Sequence, residues 1–320
     1  MMDTPLDYLY SFGPAADPLV KLGWGLITIS LLVTAIIAIL LLVAIFSRRQ
    51  KARPDAEGHL PITRDSGGMM LIYIGVGIST VVLFASAVWT IFTLAAVASP
   101  ARAPTLTIDI TAHQWWWEVR YQNDKPALIF TTANEIHIPT GEPVRINLAT
   151  VDVIHSFWVP QLAGKMDVIP GQHNSTWIQA DKAGDYFGQC AEYCGVQHAH
   201  MAFHVIAQTP DEFASWNRQQ LAAVGAPQSE TLQQGQNVFM TRCSVCHAVR
   251  GTIAGGNLGP DLTHVASRGT IAAGLLVNNT DNAAAWIDDA QALKPGSSMP
   301  SLHLSPQELT DVVAYLGSLK

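Results

Sequence analysis

Two stretches of the chain carry no charged side chain, residues 22–47 between Lys21 and Arg48 and residues 66–101 between Asp65 and Arg102. Each exceeds the roughly 20 apolar residues that cross a bilayer, so spans are expected near residues 22–46 and 69–97. After Pro100 and Pro104 the period changes to two. Leu106, Ile108 and Ile110 alternate with Thr105, Thr107 and Asp109; Val144, Ile146 and Leu148 alternate with Arg145 and Asn147; Met201, Phe203 and Val205 alternate with Ala202, His204 and Ile206. Such alternation is that of half-buried strands, and an antiparallel sandwich is expected over residues 101–210. Residues 211–228 read as a helix, around Glu212-Phe213-Ala214-Ser215-Trp216, followed by a linker at Gly225-Ala226-Pro227. From 229 to 320 a small all-helical unit is expected. It closes on a capped helix, with Ser305 as N-cap, Pro306 next, Glu308 completing the box, and Leu309, Val312, Val313 and Leu316 on one face. The fold class is therefore multidomain: a two-helix transmembrane hairpin over residues 1–100, an all-β sandwich and an all-α domain.

Charge orients the hairpin. Arg48, Arg49, Lys51, Arg53 and Arg64 fall between the two spans, against Lys21 and Arg102 outside them. The positive-inside rule makes that connection cytoplasmic and puts the N terminus and everything after residue 98 on the other side. The first residues hold Asp3, Asp7 and Asp17 and no basic cluster, so the first span is expected to persist as an anchor rather than be cleaved as a signal peptide. Gly75-x-Gly77 offers a flat patch for a neighbouring helix, although glycine is common in spans. With 49% hydrophobic and only 13% charged residues among 320, a membrane portion fits the composition, and the net charge of -7 argues against nucleic acid as a partner. An acidic outer surface suits a basic partner instead.

The chemistry concentrates in Gly188-Gln189-Cys190-Ala191-Glu192-Tyr193-Cys194-Gly195-Val196-Gln197-His198-Ala199-His200-Met201. Two thiols, two imidazoles and a thioether on one loop are the donors of a soft transition metal; a structural zinc site has no use for the methionine, and a Cys190–Cys194 disulfide is the plain alternative. A further ligand should come from elsewhere, and His155 lies in the strand-like run Val153-Ile154-His155-Ser156-Phe157-Trp158. Alternation turns His204 away from Met201, while His200 stays open beside His198 because both lie in the loop. His113, His137 and His173 have no clustered partners and read as surface or hydrogen-bonded histidines. Farther on, Cys243-Ser244-Val245-Cys246-His247 is the attachment signature of a c-type haem, with thioethers from Cys243 and Cys246 and His247 placed to ligate iron. These uses account for all four cysteines.

Taken with His113-Gln114-Trp115-Trp116-Trp117 and Lys165-Met166-Asp167-Val168-Ile169-Pro170-Gly171-Gln172, the order cysteine, glutamate, cysteine, histidine, methionine resembles subunit II of haem-copper cytochrome c oxidases over most of residues 20–210. The resemblance implies a cupredoxin sandwich holding binuclear copper A. Cys190 and Cys194 would bridge two coppers, His155 and Met201 completing one, His198 and the backbone carbonyl of Glu192 the other. It further implies that Trp115 accepts the electron at the docking surface, and that the side chain of Glu192 binds a magnesium or manganese ion beside subunit I. The glutamate that many relatives carry at the start of the second span is missing from Gly67-Gly68-Met69-Met70-Leu71-Ile72, and Asp65 does not match it, so proton entry has no assigned residue. Asn257-Leu258-Gly259-Pro260-Asp261-Leu262 and Ser297-Ser298-Met299-Pro300 resemble the proximal and distal stretches of class I cytochromes c. Met299 would then be the sixth iron ligand, and His264 and His303 surface histidines.

The function this implies is the electron-entry subunit of a bacterial terminal oxidase of the caa type. Electrons would pass from a cytochrome c or another respiratory donor through haem c and copper A to subunit I, for oxygen reduction coupled to proton translocation, with subunit III as a further partner. The place would be the bacterial inner membrane, with both redox domains periplasmic. Rivals are the electron-entry subunit of a copper A nitric oxide reductase and a stand-alone membrane-tethered carrier. A quinol oxidase relative is disfavoured because all six copper ligands are present.

Overall fold

The computed structural model describes residues 7–47 and 67–320; the basic cluster Arg48 to Arg64, Asp65 and Asp3 lie outside the described residues. Pro18–Val97 form a unit of their own. It consists of α1 (Asp17–Phe46) and α2 (Gly67–Val97), both long and apolar enough to cross a membrane. A bilayer leaves polar groups no water, and the helices answer this internally: Thr28, Thr34, Thr80, Ser86 and Thr90 each donate a hydroxyl hydrogen to the carbonyl four residues back at 2.8 to 2.9 Å. The close approach in the hairpin is at Gly25, where an added Cβ would lie 2.4 Å from the Trp89 ring, and not at Gly75 or Gly77, which have open space around them.

The second unit holds, of the described residues, 7–17 and 98–320. Its sandwich is built from β1 (Leu106–His113), β2 (Trp116–Tyr121), β3 (Phe130–Ala133), β4 (Glu135–Pro139), β5 (Val144–Thr150), β6 (His155–Trp158), β7 (Met166–Val168), β8 (Asn174–Ile178), β9 (Gly184–Cys190) and β10 (Ala202–Gln208). One sheet runs β3-β2-β1-β5-β8, the other β4-β10-β9-β6-β7. The period-two positions Ile108, Ile110, Ile146, Leu148, Phe203 and Val205 all face the core and are buried. The expected antiparallel arrangement needs correcting at two pairs, since β1 pairs with β5 and β4 with β10 in parallel. The cause is the corner at Asn134, which takes φ 60° and carries the chain from the first sheet into the second. Asparagine tolerates that conformation, and its Oδ1 accepts from the Trp117 backbone N–H at 2.9 Å. The strand that follows β4 therefore returns to the first sheet already pointing along β1.

Residues ahead of the first helix also belong to this unit: the Phe12 backbone bonds to Gln161 and Asp181 at 2.9 and 2.8 Å. On the far side, α3 (Pro210–Leu221) starts at a Thr209–Glu212 capping box and lays Trp216 on the sandwich, 4.0 Å from the His137 ring and 5.2 Å from that of Tyr121.

Beyond it come α4 (Glu230–Arg242), α5 (Thr280–Asp288), α6 (Ala290–Leu293) and α7 (Pro306–Gly317). The capping box at Ser305 and Glu308 forms as its sequence prescribes. α4 crosses α7 at Gly235, and Phe239 meets Tyr315 with ring centroids 5.7 Å apart. The unit is not purely helical: β11 (Thr270–Ile271) and β12 (Leu276–Val277) form a hairpin whose tip, Ala272-Ala273-Gly274, has positive φ throughout.

Candidate metal centre

Strand pairing assembles the first site. β6 lies antiparallel beside β9 with Phe157 opposite Cys190, and this brings His155, at the head of β6, next to the end of β9. The loop from Ala191 to His200 then folds back over them. The Cys190 and Cys194 sulfurs lie 3.7 Å apart. Beside Cys190 Sγ stand His155 Nδ1 at 3.8 Å and the Glu192 carbonyl at 3.2 Å. Beside Cys194 Sγ stand His198 Nδ1 at 3.5 Å and Met201 Sδ at 3.8 Å. Five soft side chains and one carbonyl thus converge, and among the described residues His155, Cys190 and Cys194 are the one group of three His, Cys, Asp or Glu donors close enough to hold a metal. Cys190, Cys194, His155 and Met201 are buried, and both thiols are free.

The electrostatics favour a metal over two protons. The Cys194 thiol, and then burial offset by His155 and nearby backbone groups, set Cys190, whose pKa falls well below that of an ordinary thiol. Cys194 moves the opposite way because it faces Cys190 and is itself buried. One proton leaves readily and the second is resisted until another positive charge arrives, which a metal supplies.

Two supports were not visible in the sequence. Asp152 accepts from His155 Nε2 at 2.8 Å and from the Gln114 backbone N–H at 2.7 Å, which fixes the ring with Nδ1 toward the sulfurs. Gln114 Nε2 and Trp115 Nε1 both donate to the Cys194 carbonyl, at 2.7 and 2.9 Å. Trp115 is only 8% exposed; its neighbours Trp117, fully buried, and Trp116, stacked on His113 at 4.2 Å, divide core and edge between them.

The other histidines separate cleanly. His200 is exposed and bonds Gln197 Oε1 at 2.7 Å; His204 pairs with Asp185 at 2.8 Å. Glu192 turns its carboxylate toward Lys165 Nζ at 3.6 Å, and no group of three acidic, histidine or cysteine donors forms around it among the described residues.

The second site lies in the helical unit. Cys243 caps α4, and the amides of Cys246 and His247 both bond the Cys243 carbonyl, at 3.1 and 3.0 Å, so the three side chains project from one tight turn. His247 Nδ1 donates to the Pro260 carbonyl at 2.8 Å, leaving Nε2 as a free lone pair, and burial lowers its pKa, as suits a neutral ligand. A Cβ at Gly259 would stand 2.6 Å from His247 Cε1, and one at Gly256 2.5 Å from the Cys246 carbonyl carbon, so both glycines are required for this turn. Burial pushes the Cys243 thiol up to about 11. Met299 packs against the core of the same unit, and its carbonyl accepts from Gln291 Nε2 at 2.6 Å. This donor set fits a c-type haem. His264, expected at the surface, is buried instead, its ring bonded to the carbonyls of Lys320 and Ala222 at 2.9 and 3.2 Å. Both nitrogens are engaged, which removes it as a rival ligand.

The helical unit sits directly on the copper-type loop. Lys294 Nζ donates to the carbonyls of Trp115, His200 and Ala272 at 2.8, 2.7 and 2.9 Å. Gln197 Nε2 donates to the Pro295 carbonyl at 2.8 Å, the Ala202 N–H to the Ala273 carbonyl at 3.0 Å, and Glu135 accepts from the Gly269 and Thr270 amides at 2.6 and 3.2 Å.

Comparison with known proteins finds a counterpart for each of the two domains. The family model for the periplasmic domain of cytochrome c oxidase subunit II matches residues 126–208, and that for cytochrome c matches residues 232–320. Cytochrome c oxidase subunit 2 of Alkalihalophilus pseudofirmus is 43% identical over 218 residues, 68% of this chain and 62% of that protein. Its counterpart in Bacillus subtilis is 33% identical over 227 residues, 67% of this chain and 62% of that one. The periplasmic domain of subunit II of the Bradyrhizobium japonicum cytochrome oxidase is 33% identical, covering 38% of this chain and 96% of that chain with a TM-score of 0.34. The chain spans a little under two thirds of the curated relatives' length. Both domain families occur in succession on one chain, each over the residues that carry its donors, so the chain belongs to the cytochrome c oxidase subunit II family, in the form with a cytochrome c domain fused behind the copper domain.

Proposed function

We propose that this chain is the electron-entry subunit of a caa-type bacterial terminal oxidase, parsed as a membrane hairpin over residues 1–100, a copper domain over 101–210, a helix and linker over 211–228 and a cytochrome over 229–320. Loaded with haem c and binuclear copper A, it supplies one-electron transfer from a cytochrome c-type donor to subunit I, where oxygen is reduced and protons are translocated; subunit III completes the complex. The convergence of two thiolates, two imidazoles, a thioether and one carbonyl carries this reading. Each sulfur has one histidine and one further donor at its side. His155 and the Glu192 carbonyl stand beside Cys190, and His198 and Met201 beside Cys194; with both thiolates shared, the pairing of His155 with Met201 and of His198 with the Glu192 carbonyl would be the one the family resemblance implies.

The residues around these donors hold them still. Asp152 orients His155, and Gln114 with Trp115 pins the loop at Cys194, so a change of charge on the metals need not move the ligands. Trp115 lies between the Cys194 carbonyl and the loop of Lys294, which favours it as the contact between fused haem and copper rather than as a landing site for a soluble donor. Cys243, Cys246 and His247 attach the haem, and Met299 is its sixth ligand. A magnesium or manganese ion at Glu192 would need most of its donors from subunit I. Residues 7–17 and the two redox domains share one unit, which supports an N terminus on the same, periplasmic side of the inner membrane.

The test is the purified complex. A mixed-valence copper signal with two coppers and one haem c per chain, together with oxygen consumption, is the expected result, and Cys194→Ser should erase the copper signal while leaving haem absorbance intact. Zinc in the thiolate site, or turnover of nitric oxide without oxygen, would refute the assignment.

A further inference from the structure

Lys294 is 2% exposed, although lysine is among the residues least often buried. No carboxylate is paired with it among the described ion pairs. Its three N–H donors are all taken by backbone carbonyls from three separate segments: Trp115 and His200 of the copper domain, and Ala272 at the tip of the β11–β12 hairpin. The tip is shaped for this. Ala272 and Ala273 adopt φ 55° and 61°, a conformation that residues with a Cβ seldom take. Their successive carbonyls meet Lys294 Nζ and the Ala202 N–H, one residue from Met201.

The segment that begins at Lys294 continues over the same place. Pro295 accepts from Gln197, and Gly296, at φ 83°, directs its would-be Cβ to within 3.6 Å of the Trp115 ring. Three residues on, the same loop carries Met299. A run of a few residues thus joins Met299, the proposed sixth ligand, to Trp115, whose indole already bonds the Cys194 carbonyl. A cytochrome fold on its own has no use for a buried ammonium here; undocked, Lys294 would lose two of its three acceptors.

We propose that Lys294 is a positioning residue that keeps the fused cytochrome seated on Trp115 and the copper loop, so that haem and copper exchange electrons within one fixed assembly and not by a tethered search. The proposal rests on the copper and haem reading above. The covalent link already holds the two domains at high effective concentration, so a few well-placed hydrogen bonds suffice to keep the docked state dominant. Removing them lowers the observed transfer rate by the fraction of molecules left undocked.

The experiment uses the complete oxidase with Lys294→Met, which keeps the stem and removes the donors. Wild type and variant are first compared by the copper resonance and the haem spectrum. Absence of either signal in the wild type would sink the underlying reading, not this inference. Electrons are then injected photochemically into the haem and their arrival at copper is timed. The expected result is a haem-to-copper rate lower by about tenfold or more and newly sensitive to solvent viscosity, with both spectra intact. Pulsed resonance between ferric haem and copper should show one narrow distance in the wild type and a broad distribution in the variant. An unchanged rate with an unchanged narrow distance overturns the proposal. Should Lys294→Met fail to take up haem or copper, Lys294→Gln is read by the same rate and distance, with the same deciding outcomes.

Discussion

Gly235→Ala tests the haem domain at the point where its geometry is least forgiving. At the crossing of α4 and α7, an added Cβ would fall 2.0 Å from the Asp311 carbonyl oxygen, 2.6 Å from its carbon and 2.7 Å from Tyr315 Cβ. None of these is the end of a flexible side chain. Clearing the contact asks the two helices to part by about 1 Å in an interior packed as densely as a crystal. Alanine gains about 1 kcal/mol of helix propensity over glycine, whereas overpacking of this kind costs up to about 3 kcal/mol or more, so the net loss is about 2 kcal/mol. For a domain of about 90 residues that lowers Tm by about 10 °C. The same crossing packs Phe239 against Tyr315 and sets the end of α4, where Cys243 begins the haem turn, so haem seating should loosen together with the fold. Thermal unfolding of the haem-loaded protein followed at the haem band reads the effect, with the copper absorbance as an internal reference. A variant whose haem transition stays within about 2 °C of wild type, or rises, would show that the crossing is not the constraint argued here.

Asp152→Asn should weaken copper binding by about 10- to 100-fold and change the hyperfine pattern of the copper resonance, because a carboxylate that orients a ligating histidine is lost; competition with a copper chelator measures it. Met299→Ala should lower the haem potential in a redox titration, and an unchanged potential would point to another sixth ligand. The Ser301 hydroxyl and then the Ala292 amide hold the Asp289 carboxyl below its ordinary value. The stability it lends the methionine loop is therefore present above the ordinary carboxylate pKa and is lost as pH falls through the lowered one. In an acid titration of the methionine–iron band, Asp289→Asn should flatten this loss.

How much of this could be read from the chain varies with how the information is encoded. The uncharged spans, the alternation of Ile108 with Ile110 and of Phe203 with Val205, and the Ser305–Glu308 box are periodic or local signals, and each has its structural counterpart. The loop donors are local as well, since Cys190 to Met201 lie within one turn-rich segment. Asp152 carries no such signal: an aspartate three residues before a histidine is ordinary until the connection between β5 and β6 bends so that its oxygen reaches Nε2. Nothing local in Lys294-Pro295-Gly296 marks a buried ammonium, and only the fold reveals the three carbonyls around it. The β11–β12 hairpin has an alanine pair where a turn formula would want asparagine and glycine, and its conformation is understood only from what its carbonyls hold. The burial of His264 likewise has no local signal, because its acceptors, Ala222 and Lys320, lie far away in sequence.

The residues that periodicity hides share one location. Asp152, Gln114, Trp115 and Lys294 form a continuous set of hydrogen bonds: Asp152 accepts from the Gln114 amide, Gln114 and Trp115 donate to the Cys194 carbonyl, and the Trp115 carbonyl accepts from Lys294. The contacts that fix His155 and the Cys194 loop are therefore continuous with those that reach the helical unit. Burial pushes the Lys294 pKa down to about 7, against the opposing pull of the nearby Cys194 sulfur. A buried ammonium is costly to keep and would be replaced by an apolar side chain if packing were its only task; the better-attested use of such a group is to select one arrangement among several. Selecting one arrangement is what a one-electron relay between two domains requires. Coupling would depend on a fixed separation, and the Lys294 bonds would set it through backbone carbonyls, without engaging a donor side chain.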